Sequence, residues 1–280
     1  VRVLVTGGAG LLGARLVADA PDGVEVHATW HRTAPPDADV GWHQVDLADA
    51  EATRGLCDRI RPDVVVHTAY ATADGHRAIV EATSNVADAV AATGAALVHL
   101  SSDVVFDGEH APYDEGAPPL PISEYGRHKA EAEAVVARRC PAATIVRTSL
   151  ITWSQPLDPR SAWVVDALRA GDPLTLFTDE IRCPVRLDDL SAQLWELARS
   201  PTGAGAGLWH LVGSESLSRF DLGVLIAEHA GLDAGGIEGR SSRGQRPARP
   251  RDLRLTAQRS AALLTTPARS VRSLFPLTNG

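Results

Sequence analysis

Apolar residues follow two rhythms along this chain. In the first half, short β-branched runs alternate with longer alanine-rich stretches whose apolar positions recur every three or four residues. The runs at Arg2–Thr6, Val24–Thr29, Trp42–Val45, Asp63–His67, Ala96–Ser101 and Ala143–Arg147 predict strands. The stretches near Gly10–Ala20, Ala50–Ile60, Asp74–Thr93 and Ile122–Ala137 predict helices. Such alternation is the pattern of a parallel sheet joined by crossover helices. Asp63–His67 and Ala96–Ser101 are almost unbroken apolar runs, as central strands covered on both faces should be. After Thr148 the rhythm loosens. Helices are predicted near Ala162–Ala170, Asp188–Ser200, Ser218–Ala230 and Thr256–Leu263, with short strands near Leu174–Phe177 and Leu208–Leu211. Gly235–Pro250, rich in glycine, arginine and proline, predicts a loop. The expected fold is α/β. A Rossmann-type doubly wound parallel sheet spans residues 1–150, with some later segments returning to it, and a smaller α/β substrate domain spans 151–280.

Composition narrows the function classes. With 280 residues, 44% of them hydrophobic, the chain can bury a sizeable core. A formal charge of −8 disfavours a general nucleic-acid binder. No apolar stretch reaches membrane-spanning length, and the chain enters its first strand with no signal-peptide pattern. The 3 cysteines are far apart and read as reduced thiols. None of the 10 histidines has the spacing of a metal site. The expectation is a cytoplasmic protein with no nucleic-acid partner, no membrane and no metal.

Basic residues carry the first chemical signal. Of 27 lysines and arginines, only Lys129 is lysine. It follows Tyr125 by four residues, which places both on one helical face. Arginine cannot give up its proton, whereas a lysine's pKa can be moved. An ammonium there could lower the phenol's pKa and let it trade protons near neutrality. A solvated surface lysine is the alternative.

The strongest pattern is Thr6-Gly7-Gly8-Ala9-Gly10-Leu11-Leu12-Gly13, directly after the first strand. Gly7 would permit the tight exit, Gly10 the approach of a pyrophosphate, and Gly13 the close packing of helix on sheet. The second strand ends in Thr29-Trp30-His31-Arg32, with no acid to hold a ribose 2′-hydroxyl. His31 and Arg32 could instead meet a 2′-phosphate, which favours NADP(H) over NAD(H); a solvated Arg32 is the alternative. Asp46 and Leu47 could lie beside the adenine. Ala69, Tyr70 and Ala71 follow the fourth strand, where the middle of the cofactor would lie. Ser101, Ser102 and Asp103 close the fifth strand, at the edge where open parallel sheets bind ligands. Ser102, Tyr125 and Lys129 make a coherent catalytic set: a hydroxyl to bond a carbonyl oxygen, a phenol to protonate it, and an ammonium to hold the cofactor ribose. Singly, the serines could cap a turn and Tyr125 could be a core aromatic.

These segments resemble the extended short-chain dehydrogenase/reductases, and most closely the dTDP-4-dehydrorhamnose reductase family. The resemblance rests on the glycine turn, on Ser101-Ser102-Asp103-Val104-Val105-Phe106-Asp107-Gly108, and on Tyr125-Gly126-Arg127-His128-Lys129. Pro112-Tyr113-Asp114-Glu115, Arg147-Thr148-Ser149 and Leu208–Ser214 match as well. It implies reduction of a 4-keto group on a nucleotide-linked 6-deoxy sugar by a nicotinamide cofactor, and a homodimer formed through the Asp74–Thr93 and Ile122–Ala137 helices. Arg249 and Arg251 fall in a basic stretch that often meets the sugar nucleotide's diphosphate, and Arg182 could join them. Ser102 stands where the family usually has threonine, and Val104 where it often has tyrosine. Trp153 lies in a stretch, Leu150–Pro156, that departs from the family's substrate-facing pattern. With Asp103, these residues are the candidate substrate contacts. The cofactor machinery is kept while the sugar pocket is rewritten. A nicotinamide-retaining epimerase or dehydratase, and a noncatalytic NADP-binding regulatory protein, are the alternatives.

Overall fold

The computed structural model describes residues 1–35, 40–71, 73–200, 205–245 and 248–276. The strands are β1 (Arg2–Thr6), β2 (Glu25–Trp30), β3 (Gly41–Gln44), β4 (Val64–His67), β5 (Ala96–Ser102) and β6 (Thr144–Thr148), close to the predicted runs. Helices α1 (Leu11–Ala18), α2 (Ala50–Ile60), α3 (Ala82–Thr93) and α4 (Glu124–Arg139) connect them. The predicted Asp74–Thr93 helix is divided, because a π-helical stretch at His76–Glu81 precedes α3.

Further on come β7 (Ile151–Thr152), α5 (Pro159–Ala170), β8 (Leu174–Phe177), β9 (Ile181–Arg182), β10 (Val185–Arg186) and α6 (Leu187–Arg199). The chain continues through β11 (Gly207–Leu211), β12 (Leu217–Ser218), α7 (Arg219–His229), β13 (Ile237–Arg240) and α8 (Gln258–Leu263). The 7-stranded sheet runs β11-β6-β5-β4-β1-β2-β3, with every neighbouring pair parallel. Strand order reverses between β1 and β4, so the segments leaving their carboxyl ends diverge and open a crevice.

Period-2 alternation explains why these strands read as continuous apolar runs. Val3 and Val5 pack against α1 and α6 through Leu12, Leu16, Leu190 and Leu194. Leu4, between them, packs on the opposite face with Leu56, Val86 and Val90 from α2 and α3. Each such burial contributes about 1.5–3 kcal/mol relative to exposure. Helix α6 and strand β11 come from the second half of the chain but complete this sheet layer. The Trp195 indole donates to the Leu16 carbonyl at 3.1 Å, tying α6 to α1.

A separate apolar cluster joins α5, α7, β8 and β13 through Val164, Leu174, Leu222, Ile226 and Ile237. Here one expectation is corrected. Ile237–Arg240 is a strand paired in parallel with β8, not loop. Only Ile237 in it is buried, so no alternating pattern marked it, and the edge of β8 supplies its structure. Residues 246–247 of that predicted loop lie outside the described residues. No helix among the described residues is long and apolar enough to cross a membrane.

Candidate active site

The turn after β1 is shaped by contacts that exclude side chains. Gly7 has φ +69°, and a Cβ there would lie 2.8 Å from the Cα of Ala69. A Cβ on Gly13 would lie 2.1 Å from the Gly7 carbonyl oxygen, so α1 packs directly on the turn that precedes it. The Gly10 N–H donates to that same carbonyl at 2.8 Å. No side chain caps α1 at Gly10, which leaves the first-turn N–H groups and the positive end of the helix dipole open to an anion. Leu11 is exposed at the mouth while Leu12 is buried beneath. These residues fit the pyrophosphate of a dinucleotide.

His31 and Arg32 are exposed beyond β2, and Gln44 donates to the His31 carbonyl at 3.2 Å. Burial pushes the Asp46 carboxyl up, but Arg77, at 2.5 Å, and the Ala48 N–H outweigh it and hold it below the usual range. The Leu47 side chain belongs to the core, and its carbonyl accepts from Thr53 and Asn85. Ala69 lies against Gly7, and Ala71 follows beyond Tyr70.

Ser102, Tyr125 and Lys129 converge at the end of β5. Ser123 caps α4 by accepting from the Gly126 N–H at 3.1 Å. A Cβ on Gly126 would sit 2.2 Å from the Val104 carbonyl oxygen, so the first turn of α4 rests on the turn 103–105. That close approach sets Tyr125 beside Ser102. Burial pushes the Tyr125 phenol well above its ordinary pKa, with Tyr70 and Asp103 adding to the effect and Arg160 and Ser102 opposing it. Lys129 is buried, and its Nζ donates to the Leu100 carbonyl at 3.0 Å. Its ammonium lies 5.4 Å from the centre of the Tyr70 ring, which is itself 6.0 Å from Tyr125. Burial lowers Lys129 to about 8, against the raising effect of Glu133. The expected lowering of the phenol by Lys129 is not what this geometry gives, because burial dominates the phenol and the ammonium is turned to Leu100. A phenol held protonated is a proton donor.

The candidate substrate residues separate into different environments. Asp103 is buried, accepts from Ser149 at 2.6 Å and lies 3.8 Å from Arg182 Nε; burial raises its carboxyl despite both. Val104 is half-buried against the cluster around Phe106. Trp153 packs on the main sheet core. Arg182 is buried and donates to the carbonyls of Ile181, Pro250 and Arg251. Arg249 reaches Glu180 at 3.5 Å, and Arg251 makes a two-pronged pair with Glu109, at 2.9 and 2.6 Å.

Sequence reasoning passed over two other arginines. A small cleft, with about 20 Å³ of free space, is lined by Leu150, Thr152, Asp158, Arg160, Arg219 and Leu222 among others. Asp158 is buried and caps α5 through the N–H groups of Arg160 and Ser161, while accepting from the Thr152 and Ser161 hydroxyls. It thereby fixes the helix turn that carries Arg160. Burial lowers the Arg219 guanidinium, and the like charge of Arg160 lowers it further, with Glu180 opposing. Two cations held near one another, with Arg160 also near Tyr125, favour an anion there. No local motif marks them, because they begin two helices sixty residues apart in sequence.

Comparison with known proteins agrees with this fold. The family model described as RmlD substrate binding domain matches residues 1–276. The chain is 34% identical, over 84% of its length and 82% of the relative's, to the "Probable low-salt glycan biosynthesis reductase Agl14" of Haloferax volcanii. It is 30% identical to a dTDP-4-dehydrorhamnose reductase of Sinorhizobium fredii, covering 78% of this chain and 74% of that one. It is 29% identical to methionine adenosyltransferase 2 subunit beta of Rattus norvegicus, covering 81% and 71%. Among solved structures, dTDP-4-dehydrorhamnose reductase from Bacillus anthracis in complex with NADP superposes with a TM-score of 0.83. That likeness covers 98% of this chain and 95% of the other at 22% identity, and it shows the shared fold.

Proposed function

The chain belongs to the RmlD substrate binding domain family and is an NAD(P)-dependent oxidoreductase, and from that premise we propose that it reduces a keto group on a nucleotide-linked 6-deoxy sugar, dTDP-linked by preference, using NADPH. One observation carries the reading. A protonated phenol, a serine hydroxyl and a buried lysine meet at the carboxyl edge of β5, with Arg160 near both Tyr125 and Arg219 and with a glycine turn after β1 that fits an anion.

A reduced nicotinamide dinucleotide held at the Gly7–Gly13 turn would supply the hydride. Ser102 donates a hydrogen bond to the substrate carbonyl oxygen, and Tyr125 gives that oxygen its phenolic proton as negative charge gathers there. Lys129, buried beside the site, would hold the cofactor ribose. Arg160 and Arg219 take the diphosphate, a role for which two guanidiniums are suited by geometry and permanent charge. Arg32 at the end of β2 supports NADPH over NADH. Pairing of two copies through α3 and α4 belongs to the same reading. The likeness to an adenosyltransferase subunit favours a second reading, a noncatalytic NADP-binding partner.

Turnover separates the two. With a dTDP-4-keto-6-deoxy sugar, loss of NADPH absorbance is expected, reduced roughly 100-fold or more in Tyr125→Phe and Lys129→Arg while NADPH binding persists. NADPH binding with no oxidation by the unaltered protein would overturn the reductase in favour of the partner.

A further inference from the structure

Glu133 stands one helical turn after Lys129, on the buried face of α4, where a carboxylate ordinarily pairs with an ammonium. It pairs elsewhere. Arg147, from β6, sets Nε 3.0 and 3.2 Å from its two carboxylate oxygens and Nη2 2.8 Å from one of them. The Ser101 hydroxyl donates to Oε1 as well. Arg147 is 1% exposed and Glu133 6%, so the bridge is closed to water. Lys129 meanwhile donates to a backbone carbonyl.

The other groups around Lys129 cannot substitute for a carboxylate. Tyr125 is on its own helix and Tyr70 lies beyond β4, both aromatic. His67 on β4 is held between the Thr6 and Thr83 hydroxyls. Its neighbour His99 on β5 has no side-chain hydrogen bond among the described residues. Burial keeps both imidazoles neutral, lowering His67 to about 3 and His99 well below its usual value.

We propose that Arg147 is a positioning residue for Lys129: by occupying both oxygens of Glu133 it keeps that carboxylate from clamping the ammonium, which stays available to the cofactor site. The proposal rests on the role given to Lys129 above, but its test requires no substrate.

Because Lys129 is the only lysine, protein grown with lysine labelled at Cε gives one lysine side-chain NMR signal, whose pH dependence is the titration of that residue. In Arg147→Gln, Glu133 is released to Lys129, and the titration midpoint is expected to rise by about one pH unit or more. An unchanged or lower midpoint overturns the proposal. The double variant Glu133→Met with Arg147→Met replaces a buried ion pair by apolar groups, a change that proteins commonly tolerate. Its Lys129 midpoint is expected within about half a pH unit of the unaltered protein. A fall of about one unit or more would mean that Glu133 sustains the ammonium through the bridge, and that too overturns the proposal. Should Arg147→Gln fail to fold, the double variant decides alone. If NADPH oxidation occurs, it is expected to fall in Arg147→Gln and to return in the double variant, whereas a purely structural bridge would leave the double variant no better than the single one.

Discussion

The glycine turn after β1, the proposed cradle, and the cleft at Arg160 and Arg219 are built over very different sequence distances. The cradle is one stretch, Thr6 to Gly13, whose critical contacts are made by its own backbone and that of Ala69. The cleft draws Thr152 from β7, Arg160 from α5 and Arg219 from α7. Its charged groups are arranged by a buried cap, Asp158, and by side chains that meet only when the helices pack. A site made of backbone depends on where side chains are absent. A site made of long side chains depends on what holds each one in place.

That difference can be broken from the cradle side first. Gly13→Ala puts a methyl 2.1 Å from the Gly7 carbonyl. It is expected to weaken NADPH binding roughly 100-fold, at a cost of about 3 kcal/mol, read by fluorescence titration. On the cleft side, Arg219→Ala removes one of two cations. Its expected signature is a KM for the sugar nucleotide raised about 30-fold with NADPH affinity unchanged; equal losses for both ligands would show that the two regions are not separate. Arg32→Ala sharpens the cradle alone, with NADPH affinity down about 10-fold and NADH affinity unaltered in parallel titrations. The smallest effect belongs to Arg251→Ala. Its guanidinium is exposed and paired with Glu109, so neither melting temperature nor sugar-nucleotide KM is expected to move measurably.

The block Val105-Phe106-Asp107-Gly108 stands between these extremes. Phe106 is fully buried and stacks on Tyr113 with ring centres 4.1 Å apart. The Tyr113 hydroxyl accepts from the N–H groups of Gly108 and His110 and donates to Asp107. Gly108 has φ +82°, and a Cβ there would lie 2.4 Å from the Arg251 backbone nitrogen. This segment therefore joins the end of β5 to the strand of chain that carries Arg249 and Arg251. A motif that resembles the family's in sequence here ties the end of β5 to the segment Pro250–Arg251.

Local physics made much of the protein legible. Short apolar, β-branched runs located β1, β4, β5 and β6, and the glycine spacing located the tight turn into α1, because each depends on residues adjacent in the chain. The Tyr125–Lys129 spacing was legible for the same reason. Gly126 carries a signal that sequence reasoning left unused: a glycine inside a helix next to Tyr125 marks a close approach, here to Val104. Tertiary structure decided the rest. It turned Arg182 inward to three carbonyls and set Trp153 against the sheet. It made Ile237–Arg240 a strand by giving it a partner, brought Arg160 beside Arg219, and paired Glu133 with Arg147 rather than Lys129. Periodicity and backbone freedom are properties of neighbouring residues, so the chain records them in order. The partner of a long charged side chain depends on which surfaces meet after folding, and burial then fixes its charge, neither of which is encoded at any one position.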